Sequence, residues 1–449
     1  MRARGFKIFF LLVGDIVIFY TSLIISLGIR RGPEFSSELI QQHLFPFSLV
    51  LLLWLLVFYA AGLYDVRLSE RSFNLSNLIV KTSIISGLLA AAFFYFTSAA
   101  FFNIKPLTIL FLHLFIFTTS YLLWRYLFTI FLSREGLAQT VLFIGGQTLR
   151  DELVAEISAK PQLGLRTAGI MEENSPILEN SSLKNYCLEN KVETIVITPQ
   201  LLQDQRIVKA LYECVPLQIR FTDLASFYEE IVHKIPIDAI GQMWFLEKVG
   251  VYRRRFYDLG KRIVDIFLSI SIGLPSLVIL PILALFIRLE SKGPIIFKQT
   301  RIGENGKVIT IHKLRTMVAD AEKEGKAVWS QAGDKRITKI GSFLRKTRLD
   351  ELPQLWDIFK GDLSFVGPRP ERPEFVEELK QKIPFYGERH LVKPGLTGWA
   401  QISLAYDASE SYSREKLQYD LFYVKNRSAL LDLGIILRTA KSVLSRAGR

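Results

Sequence analysis

Cysteine is nearly missing from this chain of 449 residues: only Cys187 and Cys214 occur, well separated. Two isolated cysteines exclude a disulfide framework and a closed thiolate zinc site, and both read as ordinary core residues. Histidine is almost as scarce. The five, at 43, 113, 233, 312 and 390, show no ligand spacing, so no histidine-based metal site is expected. Acidic residues are outnumbered, 43 against 56 basic ones, for a formal net charge of +13. Such an excess suits nucleic acid, anionic lipid headgroups or a phosphorylated substrate. A small-residue cleavage site is also missing after the first apolar run, which Asp15 interrupts and which is too long for a signal core. That run therefore reads as a retained membrane helix.

Half of the residues are apolar, including 33 Phe, yet 22% are charged. The mixture implies membrane segments joined to polar domains, and with membrane segments present nucleic acid drops out as a partner. Four apolar runs, about 7–29, 44–64, 79–99 and 105–132, each approach or exceed the roughly 20 residues that cross a bilayer as a helix. Arg2, Arg4, Lys7, Arg67, Arg71 and Arg134 flank them on one side, which predicts a cytoplasmic N-terminus; Arg30 and Arg31 fall on the other. An even number of crossings returns the chain to the cytoplasm.

From residue 138 the pattern alternates between strand and helix. Thr140-Val-Leu-Phe-Ile-Gly-Gly146 and Val192-Glu-Thr-Ile-Val-Ile-Thr198 read as buried strands, with helical stretches between. A parallel α/β domain over 138–245 follows. Its glycine turn, Gly145-Gly146, lacks the full spacing of a dinucleotide fingerprint. Nucleotide binding and a degenerate module for folding, assembly or regulation both remain open there. A basic linker, Tyr252-Arg-Arg-Arg-Phe-Tyr257, leads to an apolar segment over 263–287 that carries Asp265, Gly273, Pro275 and Pro281. Prolines break or kink a helix, so this segment either spans with a kink or bends back, and the second alternative keeps the remainder cytoplasmic.

The last 160 residues hold a series of motifs. In order they are Phe297-Lys-Gln-Thr-Arg-Ile-Gly-Glu-Asn-Gly306, His312-Lys-Leu-Arg-Thr-Met317, Asp334-Lys-Arg-Ile-Thr-Lys-Ile-Gly341, Leu344-Arg-Lys-Thr-Arg-Leu-Asp-Glu-Leu-Pro-Gln-Leu355, Gly361-Asp-Leu-Ser-Phe-Val-Gly-Pro-Arg-Pro370 and Lys393-Pro-Gly-Leu-Thr-Gly-Trp-Ala-Gln401. Asp350 and Glu351 are adjacent carboxylates among cations. Such a pair can hold Mg²⁺ together with substrate phosphates, or one member can attack phosphorus; alone, the pair would more readily describe a solvated helix face, and only the motif series reverses that. Arg offers planar, bidentate contacts to phosphate. The segment Leu430–Leu444 spaces its apolar residues helically and suits either a membrane surface or packing on the domain.

Together these motifs resemble the bacterial sugar transferase family, the polyprenyl-phosphate sugar-1-phosphate transferases, over about 255–449. The upstream regions resemble the family's long form, and Trp399-Ala-Gln-Ile-Ser-Leu-Ala-Tyr-Asp-Ala-Ser409 looks like the exopolysaccharide and exosortase branch. The resemblance implies a membrane protein of α/β class in four parts: four transmembrane helices over 1–135, a degenerate Rossmann-like α/β domain over 138–245, a basic linker and re-entrant membrane helix over 255–290, and a mainly helical catalytic domain over 291–449. It implies a multi-pass protein of the bacterial inner membrane whose catalytic domain is cytoplasmic. The implied reaction transfers a sugar 1-phosphate from a UDP-sugar to undecaprenyl phosphate and releases UMP, with Mg²⁺ as cofactor and membrane lipids around it; homo-oligomers are compatible. By the same resemblance Asp350 is the nucleophile and Glu351 its partner, both near the metal. Arg345 is the candidate for the lipid phosphate. Lys313, Arg315, Arg301 and Arg369 are candidates for the nucleotide diphosphate or for ordering the site, and Gln401 joins the substrate-binding set.

The chain departs from the family pattern twice. Leu277-Val278, flanked by Pro275 and Pro281, replaces the usual Ser-Pro break, and Ser403-Leu-Ala405 replaces an Asn-Gly-Arg after the Ala-Gln. The sugar is therefore not implied. Three rivals remain: a membrane glycosyltransferase releasing UDP, a nucleotide-sensing membrane scaffold, and a nucleotide-sugar dehydratase, which would need a complete glycine fingerprint.

Overall fold

The computed structural model describes residues 2–64, 72–101, 107–133, 138–160, 163–178, 182–248, 254–318, 334, 336–404 and 410–444. The chain forms two compact units, Met1–Glu230 and Ile231–Arg449.

Helices α1 (Arg2–Arg31), α2 (Ser37–Ala61), α3 (Ser72–Phe101) and α4 (Leu107–Ser133) open the first unit. All four are long and apolar enough to cross a membrane. Ser36 caps α2 by accepting from Leu39 N, and Gly62 ends it in the left-handed conformation (φ 84°). The bundle's interior is aromatic: Phe19, Phe47, Trp54, Phe58, Phe94, Phe117 and Tyr121 are fully enclosed. Its outer surface leaves Leu88, Phe96, Phe111 and Phe115 exposed, which suits a hydrocarbon solvent rather than water. The interruption at Asp15 has a partner. Its carboxylate accepts from Tyr64 OH (2.7 Å) and pairs with Arg125 (3.0 Å), so α1 is tied to α4 and to the end of α2.

The sheet that follows contains β1 (Gln139–Ile144), β2 (Leu165–Met171), β3 (Thr194–Ile197) and β4 (Arg220–Asp223). Its order is β2-β1-β3-β4 and every pairing is parallel. Helices α5 (Gln147–Ala159), α6 (Ser182–Glu189), α7 (Gln205–Glu213) and α8 (Leu224–Val232) connect or follow the strands. Val141–Ile144 and all of β3 are buried, as expected of parallel strands covered on both faces. Gly145 and Gly146 both take positive φ (75° and 68°). A Cβ on Gly145 would lie 2.6 Å from Leu201 Cδ1, and one on Gly146 2.6 Å from Leu224 Cδ2. Leu201 and Leu224 therefore pack directly against the two glycines, which explains why no side chain stands at either position.

In the second unit, residues 231–248 precede the apolar helix and end in α9 (Gln242–Lys248). Ile235 and Ile237 are buried, Ile235 N donates to Gln418 O (3.0 Å), and Phe245 stacks on Phe385. Helix α10 (Arg255–Glu290) runs unbroken through Pro275 and Pro281. Arg255–Tyr257, expected in the linker, already belong to this helix; residues 249–253 lie outside the described residues. The reason is tertiary: Lys261 pairs with Asp432 (2.7 Å) and Arg262 donates to Ile358 O and Phe359 O, which anchors polar first turns that carry no apolar signal. The rest comprises a hairpin of β5 (Ile296–Ile302) and β6 (Val308–Leu314), then α11 (Lys339–Thr347), α12 (Gln354–Lys360), β7 (Ser364–Val366), α13 (Pro373–Lys382), β8 (Gly395–Thr397), α14 (Trp399–Ser403), α15 (Glu410–Asn426) and α16 (Ala429–Leu444). Of the two alternatives for the last helix, packing is observed: Thr439 meets Thr397 (2.7 Å) and Arg438 covers the Trp399 ring.

Candidate active site

The adjacent carboxylates sit where two helices change direction. Helix α11 ends at Arg348, which reverses the chain in the left-handed conformation (φ 59°, ψ 16°), a strained choice for a residue with a side chain. The next three residues, Leu349–Glu351, form a 3-10 turn that passes through Leu352 and Pro353, both right-handed helical, into α12. Leu349 and Leu352 pack with Leu283 and Ile287 of α10, Leu314 of β6 and Leu344 of α11. This small apolar cluster fixes the turn and leaves Asp350 and Glu351 buried, at 7% and 9% exposure.

Glu351 Oε1 accepts from Lys313 Nζ (3.0 Å) and from Arg369 Nη2 (2.9 Å), with Arg348 at 4.0 Å. Lys313 comes from the end of β6. Arg369 comes from the Gly367–Pro370 loop after β7. That loop meets the Lys393–Gly398 loop so closely that a Cβ on Gly367 would collide with Lys393 O and Gly395 N, which explains the glycine. Asp350 differs sharply from its neighbour: its Oδ1 is buried with no hydrogen-bond partner.

The charges follow from this geometry. Burial pushes the Asp350 carboxyl up, and the Glu351 charge beside it pushes it further, against Lys313, Arg348 and Arg369. Burial also opposes ionisation of Glu351, but Lys313, Arg369 and Arg348 outweigh it and hold that carboxyl far below the usual range. The two titrate as a pair. Glu351 is an anion inside a cationic clamp, and Asp350 is the member that burial and its neighbour's charge make harder to ionise. Burial lowers Lys313, opposed chiefly by Glu351, while the Glu351 charge raises Arg369.

Lys313 and Arg369 are therefore brought to the carboxylate pair. Arg345 donates to Thr316 Oγ1 (2.9 Å), and the Asp350 charge is the largest influence favouring its cation, against burial. Arg315 and Arg301 instead hold backbone. Arg315 donates to Ser291 O (2.6 Å) and Lys292 O (3.2 Å) at the end of α10. Arg301 donates to Pro370 O (3.0 Å) and lies 3.6 Å from Glu371. Of the two roles open to them, ordering the site is the one their contacts serve. Gln401 donates to Leu396 O (3.3 Å), and its Oε1 is buried without a partner. Residues 405–409, within the stretch read as the exopolysaccharide branch, lie outside the described residues.

Two contributors had no distinguishing sequence signal. Arg389 is buried, pairs with Asp420 (2.6 Å) and donates to Arg369 O (3.0 Å), so it holds the loop that presents Arg369. Asp357 accepts from both the backbone N (2.9 Å) and the ring (2.7 Å) of His312 and pins β6 beside the pair. Among the described residues no group of three or more His, Cys, Asp and Glu could hold a metal. Mg²⁺ commonly needs only one or two carboxylates when substrate phosphates supply the rest. The unpartnered Asp350 Oδ1 suits that shared mode, whereas Glu351 Oε1 is already engaged by cations.

Comparison with known proteins places the chain among similar sequences of one family. A bacterial sugar transferase family model matches residues 256–446. The chain is 35% identical over 240 residues to the UDP-N-acetylgalactosamine-undecaprenyl-phosphate N-acetylgalactosaminephosphotransferase of Aeromonas hydrophila, covering 53% of this chain and 55% of that one. It thus spans about half the length of that relative. It is 30% identical over 327 residues to the UDP-glucose:undecaprenyl-phosphate glucose-1-phosphate transferase of Escherichia coli (strain K12), covering 69% and 68%. Against the exopolysaccharide production protein PSS of Rhizobium leguminosarum bv. phaseoli it is 40% identical over 194 residues, 41% of this chain and 96% of that one. With the family match lying across α10, the carboxylate turn and its cationic clamp, the chain belongs to the bacterial sugar transferase family.

Proposed function

We propose that the protein transfers a sugar 1-phosphate from a UDP-sugar to undecaprenyl phosphate and releases UMP, as the initiating step of exopolysaccharide or O-antigen synthesis. The observation that carries this reading is the asymmetry of the pair: a clamped Glu351 beside a buried Asp350 with an unpartnered oxygen. Desolvation makes that oxygen a stronger nucleophile than a solvated carboxylate. An Asp350 oxygen forms a bond to the β-phosphorus, the bond from phosphorus to the UMP oxygen breaks, and UMP leaves with the electron pair. An oxygen of the lipid phosphate then attacks the same phosphorus, and the bond to Asp350 breaks to restore the carboxylate. Lys313 and Arg369 fix Glu351 and supply positive charge beside the transferred phosphoryl group, and Arg345 is the candidate for the lipid phosphate. Mg²⁺, held by Asp350 and the substrate phosphates with the clamped Glu351 carboxylate beside it, would add charge neutralisation.

The same reading puts the protein in the bacterial inner membrane with the catalytic domain in the cytoplasm, where nucleotide sugars are found, and makes α10 re-entrant. What supports the latter is that both flanks of α10 bind one body. Before it, His233 O accepts from Trp399 Nε1 (3.0 Å); at its last residue, Glu290 accepts from Lys339 N (2.7 Å) and Ile340 N (3.0 Å).

The test is nucleotide release by the purified full chain given undecaprenyl phosphate and a panel of UDP-sugars. UMP is expected with one of them. UDP would establish transfer of the sugar alone, and no release with any of them would favour a scaffold.

A further inference from the structure

A second buried polar group near the nucleophile lacks a partner. Gln354 opens α12, one helical turn beyond Asp350, and is only 4% exposed, yet its amide Nε2 makes no hydrogen bond. The helical run from Leu349 onward buries Asp350, Gln354 and Asp357 at i, i+4 and i+7, while Trp356 and Phe359 stay exposed. Residues so spaced share a face. Asp357 on that face is fully engaged by His312. Asp350 Oδ1 and Gln354 Nε2 are not, and they do not satisfy each other.

Leaving a buried amide donor unmade costs more than a hydrogen bond contributes, so such groups are uncommon unless something else fills them. An apolar side chain would pack at this position without that cost. The two open groups are complementary in kind: one is an acceptor and nucleophile, the other a donor. A tetrahedral phosphoryl group offers both of their counterparts, an electrophilic phosphorus for the carboxylate and non-bridging oxygens for the amide.

We propose that Gln354 is a catalytic residue that donates its side-chain N–H to a non-bridging oxygen of the phosphoryl group attacked by Asp350. The inference rests on the transfer reaction proposed above. As the Asp350 oxygen bonds to phosphorus and UMP departs, charge on the non-bridging oxygens redistributes, and a donor already fixed by burial stabilises it without reorganisation.

The test uses the full chain and the UDP-sugar that supports UMP release. Without lipid phosphate, a single turnover gives a burst of UMP that reports the attack by Asp350 alone. Gln354→Met keeps the volume and removes the donor; Gln354→Glu keeps the shape and replaces the amide N–H₂ by oxygen. Both variants are expected to slow the burst by about 100-fold, the usual effect of losing one such donor. The KM for UDP-sugar should change little, and the melting temperature of the Met variant should be unchanged or higher. A purely structural glutamine predicts the reverse, a lower melting temperature with a normal burst rate per folded molecule. A burst within threefold of wild type in either folded variant overturns the proposal. Should the wild type itself release no UMP, the transfer reaction fails and Gln354 loses this role with it.

Discussion

Asp350 and Glu351 are chemically similar neighbours, and their difference comes entirely from what surrounds them. Glu351 meets Lys313 and Arg369 directly; Asp350 meets desolvation and its neighbour's charge. The consequence for stability has a definite sign. A carboxyl whose folded pKa is raised favours the native state below its unfolded value, and that contribution is lost as pH rises through the folded value. Ionisation of Asp350 therefore opposes folding. Asp350→Asn should abolish UMP release while leaving the melting temperature equal to or above that of wild type, as thermal unfolding and turnover measured together would show. Near-normal turnover would sink the covalent scheme. For the same reason the acid limb of kcat/KM should lie above 3.8, the ordinary aspartate value. The pair itself was legible in the sequence because its motif is local. The roles of the arginines were not. Arg301 and Arg315 look as suited to phosphate as Arg369 does, but which of them meets a carbonyl and which meets Glu351 is decided by residues tens of positions away.

At the scale of elements, α10 shows where composition stops informing. Its apolar stretch is plain in the sequence, but whether it crosses the bilayer depends on where its ends go. A straight helix would separate Arg262 from Ile287 by roughly 37 Å, more than the hydrocarbon thickness of about 30 Å. Yet Arg262 donates to Ile358 O and Phe359 O, Asp265 accepts from Phe365 N (3.0 Å), and Arg315 reaches Ser291 O just past the far end. Asp265 and the two prolines, disruptive in a spanning helix, are intelligible in one anchored at both ends. An exposed site beyond the helix tests this. Lys307 is exposed in the hairpin turn, and the native Cys187 and Cys214 are buried. In intact cells, Lys307→Cys should resist an impermeant thiol reagent added outside and react once the membrane is permeabilised. Ready labelling of intact cells would put the catalytic domain on the outer side and remove the re-entrant reading.

At the scale of the whole molecule, the family match begins at 256, and a relative is covered for 96% of its length by 194 residues, close to the size of that match. The family match thus lies wholly within the second unit, but that unit is larger than the match. It starts at Ile231. Residues 231–248 bury Ile235 and Ile237, give Trp399 its hydrogen-bond acceptor at His233 O, and set Trp244 under Lys425. Sequence alternation assigned this stretch to the α/β domain because its neighbours on the N-terminal side are strands and helices; nothing local reveals that its backbone bonds to Gln418 O of α15 and to the Trp399 ring of α14. Burying one isoleucine is worth about 1.5–3 kcal/mol, so two of them with their hydrogen bonds are a large part of a domain's marginal stability. A fragment of residues 231–449 should keep both a cooperative melting transition and UMP release. A fragment of residues 254–449, which still holds the entire family match, should melt at a clearly lower temperature and lose turnover as Trp399 and the neighbouring Gln401 lose their support. Equal stability and activity of the two fragments would show that residues 231–248 only connect the units and that the catalytic fold is complete without them.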